Sequence, residues 1–198
     1  VEMDSYNSYL IENEFSRIEP PQTLHNMVTS NPWNFRDSNW SSDFEVNANQ
    51  AVEFYDLYGK YHPEFAKEFD AVIAINTHVF EKVLEFTGPI TIEQVEGVPV
   101  EFTSENAALE LEKWVEHDAL DHGADFMTRK DIMKDLMKEM IQEVKSAPVK
   151  KQLNLGESLS DLMDSKDVLI HSYDHNVQTL LEENDWAGKV DTIHSNDY

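Results

Sequence analysis

Hydrophobic and polar positions alternate along the chain with two distinct periods. From Glu45 the apolar positions Val46, Ala48, Ala51, Val52, Tyr55 and Tyr58 recur at helical spacing until Gly59. Asp43 stands where its side chain is either a helix cap or a ligand. Phe69–Asn76 is a short, β-branched run of the kind expected in a strand buried on both faces and central in a sheet. Thr77 is placed to cap a helix carrying Val79, Phe80, Val83 and Leu84, which Thr87-Gly88-Pro89 stops. A strand at Ile90-Thr91-Ile92 follows, so the order suggests a βαβ crossover, right-handed if its strands are parallel. Glu96-Gly97 reads as a turn into Val98–Phe102, which predicts a hairpin.

Thr103 or Ser104 caps the next helix, whose stripe is Ala107, Ala108, Leu111, Trp114 and Val115 and which ends near Leu120. Gly123 breaks the chain. A long helix then places Phe126, Met133, Leu136, Met137, Met140 and Val144 on one face and stops at Ala147-Pro148, with its methionines in the core. A further helix spans Val149–Met163, a strand is expected at Val168-Leu169-Ile170, and Asp174 caps a last helix to about Asn184. Gln22–Val28 is a short helix, Val1-Glu2-Met3 a strand end, and Lys189–Tyr198 has strand-like and turn-like residues. The expected fold is α/β: a single domain over 1–198, with a small mixed sheet of about four strands, including the βαβ unit, flanked by about six helices.

Composition narrows the partners. The 198 residues are 40% hydrophobic, enough for a substantial core. The 39 acidic and 15 basic residues give a formal charge of -24, which repels phosphate backbones over about 8 Å at physiological salt and argues against nucleic acid as a partner. No cysteine is present, so disulfides and thiolate chemistry are excluded. No run of eighteen apolar residues marks a transmembrane segment in this chain. The G-x-S-x-G elbow, P-loop, glycine-rich dinucleotide turn and H-E-x-x-H pattern are all missing.

The densest candidate chemistry is Arg36–Phe44, with two carboxylates, an arginine, an asparagine, three hydroxyls and two aromatics in one non-periodic stretch. Arg36, Asp37 and Asn39 are its ligand-binding candidates, and Trp40 and Phe44 are expected to pack beneath it. Arg129, one of three arginines, suits either a structural ion pair or a bidentate anion contact. Asp118, Asp121, His122 and Asp125 surround the break at Gly123 and read as an exposed acidic turn or a metal site, while His171 and His175 read as ordinary loop histidines.

The segments Phe35–Phe44, Asp70–Asn76, Leu84–Ile92, Arg129-Lys130 and Asp185–Gly188, in that order, resemble the bacterial and archaeal domain-of-unknown-function family 4012. The resemblance implies an excised part of a longer protein that carries an amino-terminal membrane anchor and exposes this domain outside the cytoplasm, at the cell surface or envelope. A more distant similarity is to the LytR-CpsA-Psr enzymes, which transfer polyprenyl-pyrophosphate-linked glycopolymers to the cell wall. It implies that Asp125 and Arg129 match the Asp and Arg opening that family's long helix, that Arg36 and Asp37 supply the opposing wall, and that a divalent cation bridges Asp37 or Asp125 to phosphate. Where that family has paired arginines, this chain has Ala108-Leu109-Glu110-Leu111-Glu112-Lys113.

Three functions follow as expectations. The first is an extracytoplasmic envelope domain with a non-catalytic or uncharacterised role, as a binding or architectural module. The second is a transferase or binder of lipid-linked glycans using a divalent cation, with Mg2+ and Ca2+ the candidates and no cofactor certain. The third is a surface module that self-associates as a homo-oligomer.

Overall fold

The computed structural model describes residues 19–27, 33–63, 68–93, 98–123 and 129–190. Its elements in chain order begin with α1 (Gln22–Met27), a 3-10 turn at Phe35–Asp37, α2 (Phe44–Tyr61), β1 (Ala71–Ile75) and α3 (Thr77–Thr87). The strands β2 (Ile90–Glu93) and β3 (Pro99–Phe102) follow, then α4 (Ala107–Lys113), which runs through a π-helical turn at Trp114–Asp118 into Ala119–Asp121. The chain continues with α5 (Asp131–Ser146), α6 (Val149–Asp164), β4 (Val168–Ser172) and α7 (His175–Glu183). The mixed α/β class and the four strands agree with the sequence. The expected ends Val1-Glu2-Met3 and 191–198, the turn Glu96-Gly97, Val28, and Phe126 lie outside the described residues.

The sheet itself differs from expectation. Among the described residues, β1 pairs with β4 and β2 with β3, so β1 and β2 belong to two separate sheets and form no βαβ unit. Both sheets are antiparallel. β2 and β3 pair Ile90 with Phe102 and Ile92 with Val100, and those four side chains all point inward. In the other sheet the backbone N–H of Asn76 donates to the Asp167 carbonyl at 3.1 Å, and that of Tyr173 donates to the Asp70 carbonyl at 2.9 Å, which runs the two chains in opposite directions. β1 is not a buried central strand, because Ile73 is 60% exposed and Ile75 40%. An apolar β-branched run has strand propensity wherever it sits, and nothing in it encodes the number of neighbours.

Contacts gather into two compact units. One holds residues 75–168; the other holds the described residues up to Ala74 and from Leu169 onward. In the first, the inward face of the β2–β3 hairpin joins Phe80 and Leu84 of α3, Leu111, Trp114 and Val115 of α4 and its π turn, and Ile132, Leu136 and Met140 of α5 in one apolar core. The α5 stripe is therefore Ile132, Leu136, Met140, spaced by four, and Met133 is turned outward at 40% exposure. Gly88 ends α3 at φ 90, a conformation that suits glycine, and its N–H donates to the Leu84 carbonyl at 2.8 Å.

In the second unit, Trp33, Phe54 and Tyr58 form an aromatic core with Leu24, Phe35 and Tyr55 packed on it. Trp33 meets Phe54 edge-on at 5.4 Å between ring centroids, and Phe35 meets Tyr55 edge-on at 5.3 Å. Caps follow local chemistry. Asp43 and Asp174 accept backbone N–H groups at the starts of α2 and α7, while α3 is capped by Asn76 rather than Thr77, because the Asn76 side-chain Oδ1 accepts the His78 N–H at 2.9 Å. The α4 helix starts from a turn in which Asn106 Oδ1 accepts from Thr103 N–H at 2.7 Å. Among the described residues no helix is long and apolar enough to cross a membrane.

Candidate functional site

The Arg36–Phe44 stretch lies within the second unit and is knitted together by Asn47, a buried residue of α2. Asn47 Nδ2 donates to Asn39 Oδ1 and to the Ser41 carbonyl, each at 2.8 Å, and its Oδ1 accepts the Ser41 N–H at 2.9 Å. Its carboxamide thus uses both donors and an acceptor on one loop. Ser41 Oγ accepts the Asp43 N–H at 3.1 Å. Asp43 divides its carboxylate: Oδ1 takes the Glu45 N–H at 3.0 Å and Oδ2 takes the Val190 N–H at 3.2 Å. Asp43 is a cap that also fastens the chain after α7.

That fastening is tight. Phe44 N–H donates to the Gly188 carbonyl at 3.0 Å, and Gly188 has φ 62 with no room for a side chain. A Cβ there would sit 2.9 Å from Leu169 Cδ1 and 3.0 Å from Phe44 Cβ. Tyr173 Oη donates to Asn49 Oδ1 at 3.3 Å in the same unit, and burial, then the charge of Asp56, raises the Tyr173 phenol above its ordinary value.

The upstream part of the loop is a 3-10 turn. Asp37 Oδ2 accepts the Asn34 N–H at 3.3 Å, the Asp37 carbonyl accepts from Trp33 Nε1 at 3.1 Å, and Arg36 Nε lies 3.9 Å from Asp37 Oδ1. The Arg36 side chain is 64% exposed. Phe44 is buried as expected, but Trp40 is 40% exposed and does not pack beneath the loop.

The other candidates are divided between the two units and the residues outside the description. Arg36, Asp37 and Asn39 belong to one unit and Arg129 to the other; Asp125 lies outside the described residues. Arg129 is largely covered, with Nη1 donating to the Val115 carbonyl at 3.0 Å and lying 3.4 Å from Glu116 Oε2. It therefore bonds to the π turn, where helical hydrogen bonding changes register. Lys113 pairs with Asp118 at 3.2 Å, and that hydrogen bond and charge raise the lysine. His122 stacks on Trp114 at 6.0 Å between centroids. His171 is a buried residue of β4, not a loop histidine, and its Nδ1 has no hydrogen-bond partner among the described residues. Its ring meets Tyr173 edge-on at 5.1 Å. Among the described residues no three His, Asp or Glu side chains are grouped so as to hold a metal ion.

Two polar groups were not marked by sequence reasoning. Asn47 is one; its only signal is a carboxamide beside Ala48 on the inward face of an amphipathic helix. The other is Asp167, which accepts from Ser165 Oγ and Asn76 Nδ2 and lies 3.4 Å from His78 Nδ1. The Ser165 and Asn76 hydrogen bonds hold its carboxyl below the ordinary aspartate value. No local pattern joins Asn76 to a residue so far along the chain.

No curated protein and no solved structure is significantly similar to the chain. The family model described as "Protein of unknown function (DUF4012)" matches residues 3–115, more than half of the chain. The matched span takes in the Arg36–Phe44 loop, β1, α3, the β2–β3 hairpin and α4. The chain belongs to that family.

Proposed function

We propose that this is a non-catalytic domain of the cell envelope, acting outside the cytoplasm, in which the Arg36–Phe44 loop binds an envelope polymer. The observation that carries this reading is the inward use of the loop's polar groups: Asn39, Ser41 and Asp43 are spent on Asn47 and backbone groups. Such a loop is held rigidly while presenting Trp40 and Arg36 to solvent. An exposed indole offers a flat apolar face and an exposed guanidinium a fork of donors, the pair of groups that suits a saccharide polymer with hydroxyl or anionic substituents. The extracytoplasmic setting rests on the family resemblance.

The test is co-sedimentation with isolated envelope polymers. Trp40→Ala and Arg36→Ala should abolish sedimentation without moving the unfolding midpoint. Unchanged sedimentation by both variants would sink the binding reading and leave the loop an architectural clasp.

The transferase reading, with Asp37 or Asp125 holding a divalent cation on a polyprenyl pyrophosphate, is the weaker one, since Arg129 is occupied by Val115 and Glu116. It requires magnesium and the lipid together to raise the melting temperature more than either alone. Self-association requires calcium-dependent sedimentation of the protein by itself.

A further inference from the structure

Of all the asparagines in the chain, only Asn39 is followed two positions on by a serine or threonine, in Asn39-Trp40-Ser41. That triplet, with no proline at its centre, is the acceptor pattern for an N-linked glycan on a surface loop. A three-residue pattern recurs by chance, and its geometry decides whether it can be used.

The backbone at Asn39 and Trp40 belongs to no helix or strand, and both residues are exposed. The Asn39 carboxamide is also oriented by its neighbours. Asn47 Oδ1 accepts the Ser41 N–H at 2.9 Å, which leaves the Asn47 Nδ2 donors for Asn39 and the Ser41 carbonyl. Asn39 has to meet a donor there with an acceptor, so its Oδ1 is turned inward, 2.8 Å from Asn47 Nδ2. Because a carboxamide is planar, Nδ2 is directed away from that contact, and among the described residues it has no hydrogen-bond partner. Ser41 Oγ accepts the Asp43 N–H at 3.1 Å. Among the described residues the Ser41 hydroxyl donates to nothing, which leaves its hydrogen for a transferase that reads this position.

We propose that Asn39 is the attachment site of an N-linked glycan. Its Nδ2 attacks the anomeric carbon of a saccharide carried on a polyprenyl diphosphate. The C–N bond forms, the anomeric C–O bond breaks with its electron pair leaving on the diphosphate, and an amide proton passes to a base of the transferase. No oxidant or reductant enters. The proposal rests on the extracytoplasmic setting of the reading above, since this modification belongs to secreted surface loops, and does not depend on polymer binding.

The test is peptide mapping by mass spectrometry of the full chain recovered from each cell fraction of its native host, alongside three variants. Asn39→Asp keeps an oxygen for Asn47 and removes the acceptor nitrogen. Ser41→Thr keeps the hydroxyl, and Ser41→Ala removes it. The parent and Ser41→Thr should carry a saccharide increment on the peptide containing residue 39, and Asn39→Asp and Ser41→Ala should lose it completely. Ser41→Ala also removes the acceptor for the Asp43 N–H, so Asn39→Asp decides the matter if that variant does not fold. A bare Asn39 in the parent, an increment that survives Asn39→Asp or Ser41→Ala, or its loss in Ser41→Thr would overturn the proposal. Fractionation tells the two readings apart: a bare Asn39 in a chain found outside the cytoplasm sinks the glycan alone, whereas a cytoplasmic chain sinks the envelope setting with it.

Discussion

The two sheets of this protein contain similar residues and are held in different ways. β2 and β3 are neighbours in sequence, alternate inward and outward, and bury Ile90, Ile92, Val100 and Phe102 against three helices. β1 and β4 are separated by more than ninety residues, leave Ile73 exposed, and are hydrogen-bonded just beyond their ends through Asn76 and Asp167 and through Asp70 and Tyr173. Both strands of the hairpin remove apolar area from water, whereas in the second sheet β4 buries Val168, His171 and Ser172 while β1 leaves Ile73 and Ile75 exposed and is joined to the β4 side by hydrogen bonds just beyond its ends. Apolar composition alone does not distinguish these cases.

The largest expected effect tests that contrast directly. Phe102 is fully buried in the hairpin, so Phe102→Ala should cost about 3–5 kcal/mol in denaturant unfolding. Ile73→Thr, on the exposed face of β1, should stay within about 0.5 kcal/mol of the parent. A loss at Ile73 comparable to that at Phe102 would break the comparison and show that β1 is covered.

Next comes Gly188. Gly188→Ala combines a left-handed backbone with a Cβ at 2.9 Å from Leu169, and should destabilise by about 2–3 kcal/mol. Asn47→Ala follows: leaving Ser41 and Asn39 without their partners should cost about 1–3 kcal/mol. If Asn47→Ala is neutral while Gly188→Ala is costly, the loop is held by packing and not by the carboxamide. Both are read from chemical denaturation.

These residues also mark the limits of the sequence. The hairpin was legible because period-two alternation and a turn are local, and Asp43 and Asp174 were legible as caps because they bond two or three residues ahead. The β1–β4 pairing was not, since neither strand contains information about a partner so distant. Arg36, Asp37 and Asn39 could be recognised as a dense polar loop, but Asn47, which determines where three of the loop's groups go, looked like one more helical position. The π turn that receives Arg129 left no periodic mark, because its displaced carbonyl is a backbone feature.

The smallest effect is also the most specific. Asp167 accepts from Ser165 and Asn76, and these bonds lower its pKa from the ordinary 3.8. A carboxyl lowered in the folded state contributes stability that is fully present above 3.8 and is lost as pH falls through the folded value. Asp167→Asn keeps the shape but removes the charge, so the variant should be less stable than the parent at neutral pH, by less than Asn47→Ala. The gap should narrow as pH drops below 3.8 and close once both folded and unfolded carboxyls are protonated. Urea midpoints measured from pH 7 to pH 2 check this. A constant gap across that range would mean that Asp167 acts through shape alone, and that charged hydrogen bonding does not hold the β1–β4 sheet at that end.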